Sequence, residues 1–369
     1  MILKRLLHRL LSQLTLASAP YLTQATLLFF IGHLLFNHTY AADKGYPSSD
    51  LEVSGGLSGG MIGGGVTAFS GVEAIRINPA MLSQSTDYQV SGSFHWPTYG
   101  RNFYQGAIVD GTGPVKAGLL YTAPLNRTFD DSWLKADNNT QNTTHLSQTN
   151  RESLVWGMKT IQKFNLSLAQ SFQKISFGIT GAYLEGMMRK YRSFHLEQVS
   201  GVTFGIASFF PINQQLLLGV SCENLNNQQI VQLAPTIFRA GFGWLLSSSH
   251  LAIHGDYLRR QRVRSEWILV KKKETPEDPN WSSMFDERDI ISDYEQSVVA
   301  SIKGQFQEII VVTGAYRMEI GNHGLERQGL AAGISVAPEL YSISYTIQRP
   351  DLSSPALHQS VSLAITLKM

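Results

Sequence analysis

The chain has 369 residues, of which 16% are charged and 32 are glycine, and its net charge is only +2. This charge balance argues against a nucleic-acid partner, and a single cysteine excludes an internal disulfide and a cysteine metal cluster. Few charges and a mean hydropathy of -0.07 fit neither a typical soluble enzyme nor a helical membrane protein. Strands with one apolar and one polar face produce this combination.

The first 42 residues have the features of a long secretory signal peptide. Basic residues near the N-terminus precede an apolar run from residue 26 to residue 36. This run is about half of the roughly 20 residues that a membrane-spanning helix needs, which argues against an uncleaved anchor. We therefore predict export, with cleavage near Ala41 or Ala42.

Residues 43 to 86 are predicted to form a glycine-rich hatch. Seven glycines fall between Gly55 and Gly65, too many for a stable helix or an ordinary strand, because glycine loses the most backbone entropy on ordering. Such a segment suits a place where backbone passes close to other backbone. The turn that follows it contains an Asn-Pro pair, and the asparagine side chain is expected to bond local backbone or the surrounding wall. The candidate gating residues are Gly63, Gly64, Gly65, Asn78, Pro79 and Ala80.

From residue 87 to residue 369 the apolar residues recur with the period of two that is typical of strands. About fourteen strands are predicted, near residues 87–99, 101–111, 115–125, 151–161, 174–189, 199–211, 215–226, 235–246, 250–261, 297–306, 309–320, 329–340, 341–349 and 357–369. Alternation alone fits a soluble sandwich as well as a membrane barrel.

The connections between these strands separate the two architectures. Tight turns follow even-numbered strands, at residues 112–114, 247–249 and 307–308. Long polar segments follow odd-numbered strands, at residues 126–150, 190–198, 262–296 and 321–328. This asymmetry is typical of outer-membrane barrels, whose turns face the periplasm. The predicted fold is all-β, a transmembrane antiparallel β-barrel in the bacterial outer membrane.

The hatch segment carries a family resemblance. Residues 63–68 (GGGVTA), followed by residues 74–82 (AIRINPAML), are similar to the N-terminal signature of the FadL and PorV outer-membrane families. Residues 219–225 (GVSCENL) and 235–241 (PTIFRAG) resemble two strands of the same families. The FadL branch implies a fourteen-stranded barrel with a luminal hatch and uptake of hydrophobic compounds such as long-chain fatty acids. The PorV branch implies a barrel that serves protein secretion through its extracellular loops. The expected partners are outer-membrane lipids with either a hydrophobic ligand or exported proteins.

Five charged or titratable side chains are predicted to face the lumen, because each falls opposite the apolar face of its strand. They are Lys116, Glu223, Arg239, His254 and Asp256. Such residues either bind an anionic head group or pair with one another to hold the hatch, and structural pairing is favoured.

Catalysis, a metal site and a cofactor are not expected. The one Gly-x-Ser-x-Gly match, Gly56 to Gly60, lies inside the glycine run and lacks the preceding strand and following helix that would expose a nucleophile. Cys222 is expected to face lipid. Aromatic girdles at the lipid interface are expected to draw on Trp96, Tyr99, Tyr104, Trp133, Trp156 and Trp244.

Overall fold

A computed structural model describes most of the predicted hatch and barrel. The described residues are 56–97, 102–124, 159–189, 196–227, 234–246, 250–269, 285–306, 309–320, 328–337, 340–349, 352 and 357–367. The predicted signal peptide, the cleavage site, Tyr99, Trp133 and Trp156 lie outside these residues and remain predictions.

Within the described residues, fourteen antiparallel strands form a closed barrel. Each strand pairs with its neighbours in sequence, and β1 closes the barrel by pairing with β14, from Tyr88 opposite Leu367 to Pro97 opposite His358. The strands are β1 (Tyr88–Pro97), β2 (Phe103–Asp110), β3 (Lys116–Pro124), β4 (Lys159–Phe172), β5 (Ile175–Arg189), β6 (Leu196–Pro211), β7 (Leu216–Glu223), β8 (Ile237–Leu245), β9 (Leu251–Leu269), β10 (Phe285–Phe306), β11 (Ile310–Ile320), β12 (Gln328–Val336), β13 (Tyr341–Arg349) and β14 (His358–Leu367).

The predicted fold class and strand number are confirmed, with two differences in the bounds. The fourth strand was placed at residues 151–161, but β4 runs from Lys159 to Phe172. Residues 262–296 were predicted as one long loop, but β9 continues to Leu269 and β10 begins at Phe285. The long hairpin therefore extends well past the ends of its neighbours.

The two faces of the wall differ as a membrane barrel requires. On β5, Ile175, Phe177 and Ile179 are exposed on the outside, whereas Ser176 and Gly178 between them are buried on the inside. The same arrangement recurs around the barrel, so that large apolar side chains form an outer belt and small or polar ones line the lumen. Such a continuous apolar exterior is stable in lipid rather than in water.

The lumen contains the hatch, which is built of short helical turns. Residues Gly56–Met61, Gly71–Glu73 and Pro79–Gln84 are 3₁₀ turns, and Ala74–Ile77 forms the single-turn helix α1. In the part of the chain that is described, no helix is long and apolar enough to cross a membrane. The hatch leads directly into β1.

Candidate functional site

The hatch packs against the wall through two apolar clusters. In one, Met61, Val66 and Phe69 pack with Leu258 and Val299 of β9 and β10. In the other, hatch residues near α1 pack with the inner faces of β2, β3, β4 and β6; its members include Ile75, Met81, Leu82, Val109, Leu120, Ala169 and Phe209. Burial of these side chains is the main non-directional contribution to hatch docking.

The glycine run supplies backbone conformations and space that other residues would not. Gly63 and Gly65 have φ of +86° and +82°, in the left-handed region that favours glycine. Gly64 lies against the wall, since a Cβ at this position would come 2.8 Å from Cγ1 of Val299. The predicted close approach of backbone to its surroundings is therefore present at the first three candidate gating residues.

The wall has glycines of its own where it meets the hatch. A Cβ on Gly178 would lie 2.6 Å from the Pro79 carbonyl carbon, and one on Gly219 would lie 2.6 Å from Cγ1 of Val66. Similar close approaches occur at Gly118, Gly243 and Gly333. The two surfaces fit closely because a glycine on one of them leaves room for the other at these points of contact.

The side chain of Asp256 binds the backbone of the glycine run. Its buried carboxylate accepts hydrogen bonds from the N–H of Gly65 at 2.7 Å and from the N–H of Val66 at 3.2 Å. Hydrogen bonds to a charged acceptor are about twice as strong as neutral ones. Asp256 therefore binds the backbone of residues 65 and 66 to β9.

Two further wall side chains bond the next residues of the hatch. The ring Nδ1 of His254 lies 3.1 Å from Oγ1 of Thr67, and Nζ of Lys303 donates to the carbonyl of Ala68 at 2.8 Å. The Lys303 amine also lies 4.9 Å from the centroid of the Phe69 ring. Residues 65 to 68 are thus bonded to β9 and β10 at successive positions.

Asn78 makes both kinds of contact expected from the sequence. Its Oδ1 accepts from the N–H of Ala80 at 3.1 Å, which caps the turn that begins at Pro79. Its amide donates to the carbonyl of Val66 at 3.0 Å and to that of Ser208 on β6 at 3.3 Å. One side chain therefore ties two parts of the hatch to each other and to the wall.

Replacing Asn78 with aspartate should loosen the hatch, because the new carboxylate loses both donors and faces two carbonyl oxygens. We expect docking to weaken by about 2 to 4 kcal/mol, since each buried hydrogen bond to an uncharged partner is worth roughly 1 kcal/mol and a buried unsatisfied group costs more. Faster proteolysis of the hatch in the detergent-solubilised barrel would measure this. Asn213→Asp is the control, because Asn213 uses only its Oδ1, as acceptor from Gln215 and Leu216. Equal cleavage rates for both variants would contradict the role of Asn78.

The other charged residues that were predicted to face the lumen contact the wall rather than the hatch. Arg239 and Glu223 form a largely buried ion pair that joins the neighbouring wall strands β8 and β7. Lys116 lies on the luminal side of β3 but donates to the carbonyl of Gly111 in the adjacent turn. Ser221, which was not predicted, reaches the hatch and donates to the carbonyl of Ile77 at 2.8 Å.

The Gly-x-Ser-x-Gly match has a structural role in the hatch. Glu73 accepts hydrogen bonds from the N–H groups of Leu57 and Ser58, at 2.9 and 3.1 Å, and so holds the first turn against α1. Burial raises the pKa of Glu73, because desolvation disfavours its carboxylate, while these hydrogen bonds oppose the rise. His254 and Asp256 bond the hatch at Thr67, Gly65 and Val66, as described above.

A small pocket with a cavity volume of about 10 Å³, which is room for about one water molecule, lies where α1 meets β4 to β7. Its luminal side includes Arg76 of the hatch, Lys163, Asn165, Thr203 and Glu223. Its other side includes Phe204, Ile206 and Cys222, whose neighbours in sequence, Thr203, Ala207 and Ser221, face inward and are buried. Residues of both faces of the wall therefore line the pocket, and Cys222 lies on the lipid face.

The regular pairing of β6 with β7 ends at this pocket because β7 ends early. The ladder between β6 and β7 ends with Ile206 opposite Cys222. Beyond it, the two segments are joined by the N–H of Leu225, which donates to the carbonyl of Phe204, and by Thr203, whose hydroxyl donates to Asn224. Asn224 has φ of +57°, in the left-handed region, which ends the extended conformation of β7.

The Asn-Leu pair in the resemblance thus ends β7 and fixes the following loop. The amide of Asn224 donates to the carbonyl of Pro235 at 2.9 Å, and the hydroxyl of Thr236 donates back to the carbonyl of Asn224 at 3.0 Å. The two stretches of family-like sequence, around residues 224 and 235, therefore contact each other beside the pocket.

Comparison with known proteins places the fold. No family model matches the chain, and no curated protein matches it. Among solved structures, the CymD monoaromatic hydrocarbon channel is similar with a TM-score of 0.53 at 12% identity, covering 87% of this chain and 100% of that one. The toluene transporter TbuX of Ralstonia pickettii gives a TM-score of 0.53 at 12% identity and coverages of 86% and 98%. The P. putida toluene transporter TodX gives 0.51 at 11%, with coverages of 87% and 100%.

The fold is that of a FadL-type outer-membrane barrel. The likeness extends over the whole length of these channels, so the hatch and the wall both belong to the FadL-type architecture. At these identities the likeness concerns the fold, and the contacts of the FadL-type hatch described above come from this chain alone.

Proposed function

We propose that this chain forms a passage for small hydrophobic molecules across the bacterial outer membrane. The observation that carries the proposal is the small pocket where β7 ends early beside β6, which is lined by luminal residues at the hatch and by Phe204 and Ile206 of the lipid face. An apolar molecule moving from lumen to bilayer along this route would avoid water. The FadL-type fold, shared with solved hydrocarbon channels, supports the same function.

Once a shift of the hatch has widened the pocket, the side chains that line it favour an apolar molecule with an acidic head, such as a long-chain fatty acid. Lys163 and Arg76 line the luminal side, and the nearby charge of Arg239 is matched by Glu223. The buried Oδ1 of Asn165 has no hydrogen-bond partner among the described residues. The pocket therefore also offers a hydrogen-bond acceptor to a ligand. A carboxylate would be held by the two cations while its alkyl chain lies towards Phe204.

The hatch must shift for a molecule to leave the lumen, because α1 and Pro79 form one side of the pocket. We assign this gating to the segment from Gly63 to Ala80, which contacts the wall through the two apolar clusters and through hydrogen bonds that water can replace. The alternative role in protein secretion depends on loops 126–150 and 262–296. The first lies outside the described residues, and the second is largely the extended hairpin of β9 and β10.

The test is uptake of oleate and of toluene by proteoliposomes carrying variants of the pocket. Ala182→Phe fills its luminal side and is expected to lower uptake of both ligands about tenfold or more, the effect of roughly 1.4 kcal/mol. Ala300→Phe, on the lipid face of β10, is the size-matched control. Unchanged uptake through the Ala182→Phe barrel would contradict the proposed route.

The same assay tests the acidic head group. Lys163→Met keeps the length of the buried side chain and removes its charge, so oleate uptake should fall about tenfold while toluene uptake stays within about twofold of the parent. Equal loss for both ligands would contradict the carboxylate assignment and leave the hydrophobic passage standing.

A further inference from the structure

Three tyrosines on the lipid face share one arrangement. Each hydroxyl donates to the Oε1 of a glutamine on the next strand, two residues nearer the end of the barrel with the long connections. The pairs are Tyr121 with Gln162 at 3.4 Å, Tyr257 with Gln296 at 3.0 Å, and Tyr345 with Gln359 at 2.7 Å. A tyrosine at a membrane interface keeps its ring in the apolar layer and its hydroxyl on the wet side. The pairs therefore mark the extracellular boundary of the apolar belt.

An exposed arginine lies on the outer face at this boundary. Arg259 is paired in the ladder with Gln296, and its guanidinium carbon lies 3.8 Å from the centroid of the Tyr294 ring. Below it, the outer face of the same two strands is apolar, with Ile253 and Val298 exposed. A charge facing lipid is tolerated only where it reaches the head groups. The guanidinium of Arg259 therefore lies at the level of the outer-leaflet head groups.

We propose that Arg259 and Tyr294 bind the phosphate of a phosphorylated glycolipid in the outer leaflet. The guanidinium carbon of Arg259 lies over the Tyr294 ring, and a guanidinium that meets a ring through its face has its N–H edge available to an anion. That edge matches two oxygens of a phosphate, which is the recognition that distinguishes arginine from lysine.

The charges around Arg259 favour an anion. Its described neighbours on the lipid face, Tyr257, Tyr294 and Gln296, are neutral. The nearest acidic side chain in the described sequence of β10, Glu295, points into the lumen and pairs with Arg317 of β11. The lipid face at this point therefore offers one positive charge with no described carboxylate beside it.

The shape of the barrel favours a glycolipid over a phospholipid. Beyond the boundary, β9 and β10 remain paired as far as Leu269 opposite Phe285. The hairpin therefore stands in the layer that sugars occupy above a lipid phosphate, whereas the head group of a phospholipid is too thin to reach along it. The phosphate would sit at the base of this hairpin.

Binding of purified lipid A by the full chain in detergent tests the proposal. Arg259→Gln and Tyr294→Leu should each weaken binding about tenfold. The first removes the bidentate contact with the phosphate, and the second removes the ring that orients the guanidinium. Lys174→Gln removes the same charge from an exposed turn at the opposite end, and Tyr341→Leu removes an exposed tyrosine there, so both should bind like the parent. The heat-induced shift in gel mobility verifies that each variant has closed its barrel.

Two outcomes would overturn the inference. One is lipid A binding by folded Arg259→Gln that equals that of the parent. The other is equally tight binding of phosphatidylglycerol with the same dependence on Arg259, which would show a phosphate site that does not select a glycolipid. Neither outcome bears on the uptake assays, which probe the pocket at β6 and β7.

Discussion

Replacing Asp256 with asparagine is expected to release the hatch from its seat while the barrel stays closed. The carboxylate accepts two backbone N–H groups from Gly65 and Val66, and an amide can replace it as acceptor for only one, with its own N–H₂ turned against the other. Two charge-assisted hydrogen bonds of roughly 1.5 to 3 kcal/mol each are affected, so docking should weaken by about 3 kcal/mol. This corresponds to roughly a hundredfold rise in the undocked population.

Single-channel conductance in planar bilayers measures that rise, because an undocked hatch opens an aqueous path. The parent should be almost closed, and Asp256→Asn should show frequent openings. The matched control is Asp110→Asn, which changes an exposed carboxylate that bonds only Thr112 among the hydrogen bonds observed. If both variants conduct like the parent, the Asp256 contact does not hold the hatch.

A glycine on β5 should be as sensitive as Asp256, although it bears no functional group. In Gly178→Ala the added methyl group would overlap the backbone of Pro79 and Ala80, and no rotamer change relieves a clash with backbone. Overpacking of this kind costs roughly 1 to 3 kcal/mol. We expect it to weaken docking of the hatch rather than the wall, because the hydrogen bonds between strands hold the wall in place. We expect faster proteolysis of the hatch and higher conductance.

Gly181, on the same strand, provides the comparison within one element. A Cβ there meets nothing within 4 Å, because the residue lies on the lipid face. Gly181→Ala should therefore keep the hatch docked and raise strand stability slightly, by about 0.5 kcal/mol. If Gly178→Ala also behaves in this way, the close fit between wall and hatch has no energetic importance.

The sequence predicts the architecture well because the alternation of apolar residues and the lengths of the connections indicate the same fold. Alternation reports which face is lipid, and the lengths of connections report which end is periplasmic. The prediction of the strand bounds is wrong in two places. In β4, Phe164, Leu166 and Leu168 alternate regularly with luminal polar residues, so the signal is present there and the prediction places the strand too early in the chain. In the hairpin of β9 and β10, the strands leave the lipid and no longer alternate in hydropathy.

The candidate site is predicted in part. The luminal positions of His254 and Asp256 follow from alternation, but their partners do not. Backbone N–H groups of the hatch have no sequence signature, and they are what Asp256 binds. The wall glycines are missed for a similar reason, since Gly178 and Gly181 look alike in sequence and only the structure shows which one meets the hatch.

The distribution of hatch contacts has a consequence for the order of assembly. The hatch precedes every strand in the chain, yet it bonds Ser176 on β5, Ser221 on β7, Asp256 on β9 and Lys303 on β10. Its seat is therefore complete only when most of the wall has formed, and contacts of such large sequence separation form late. The N-terminal segment, although it is made first, is thus among the last parts of the chain to reach all of its final contacts.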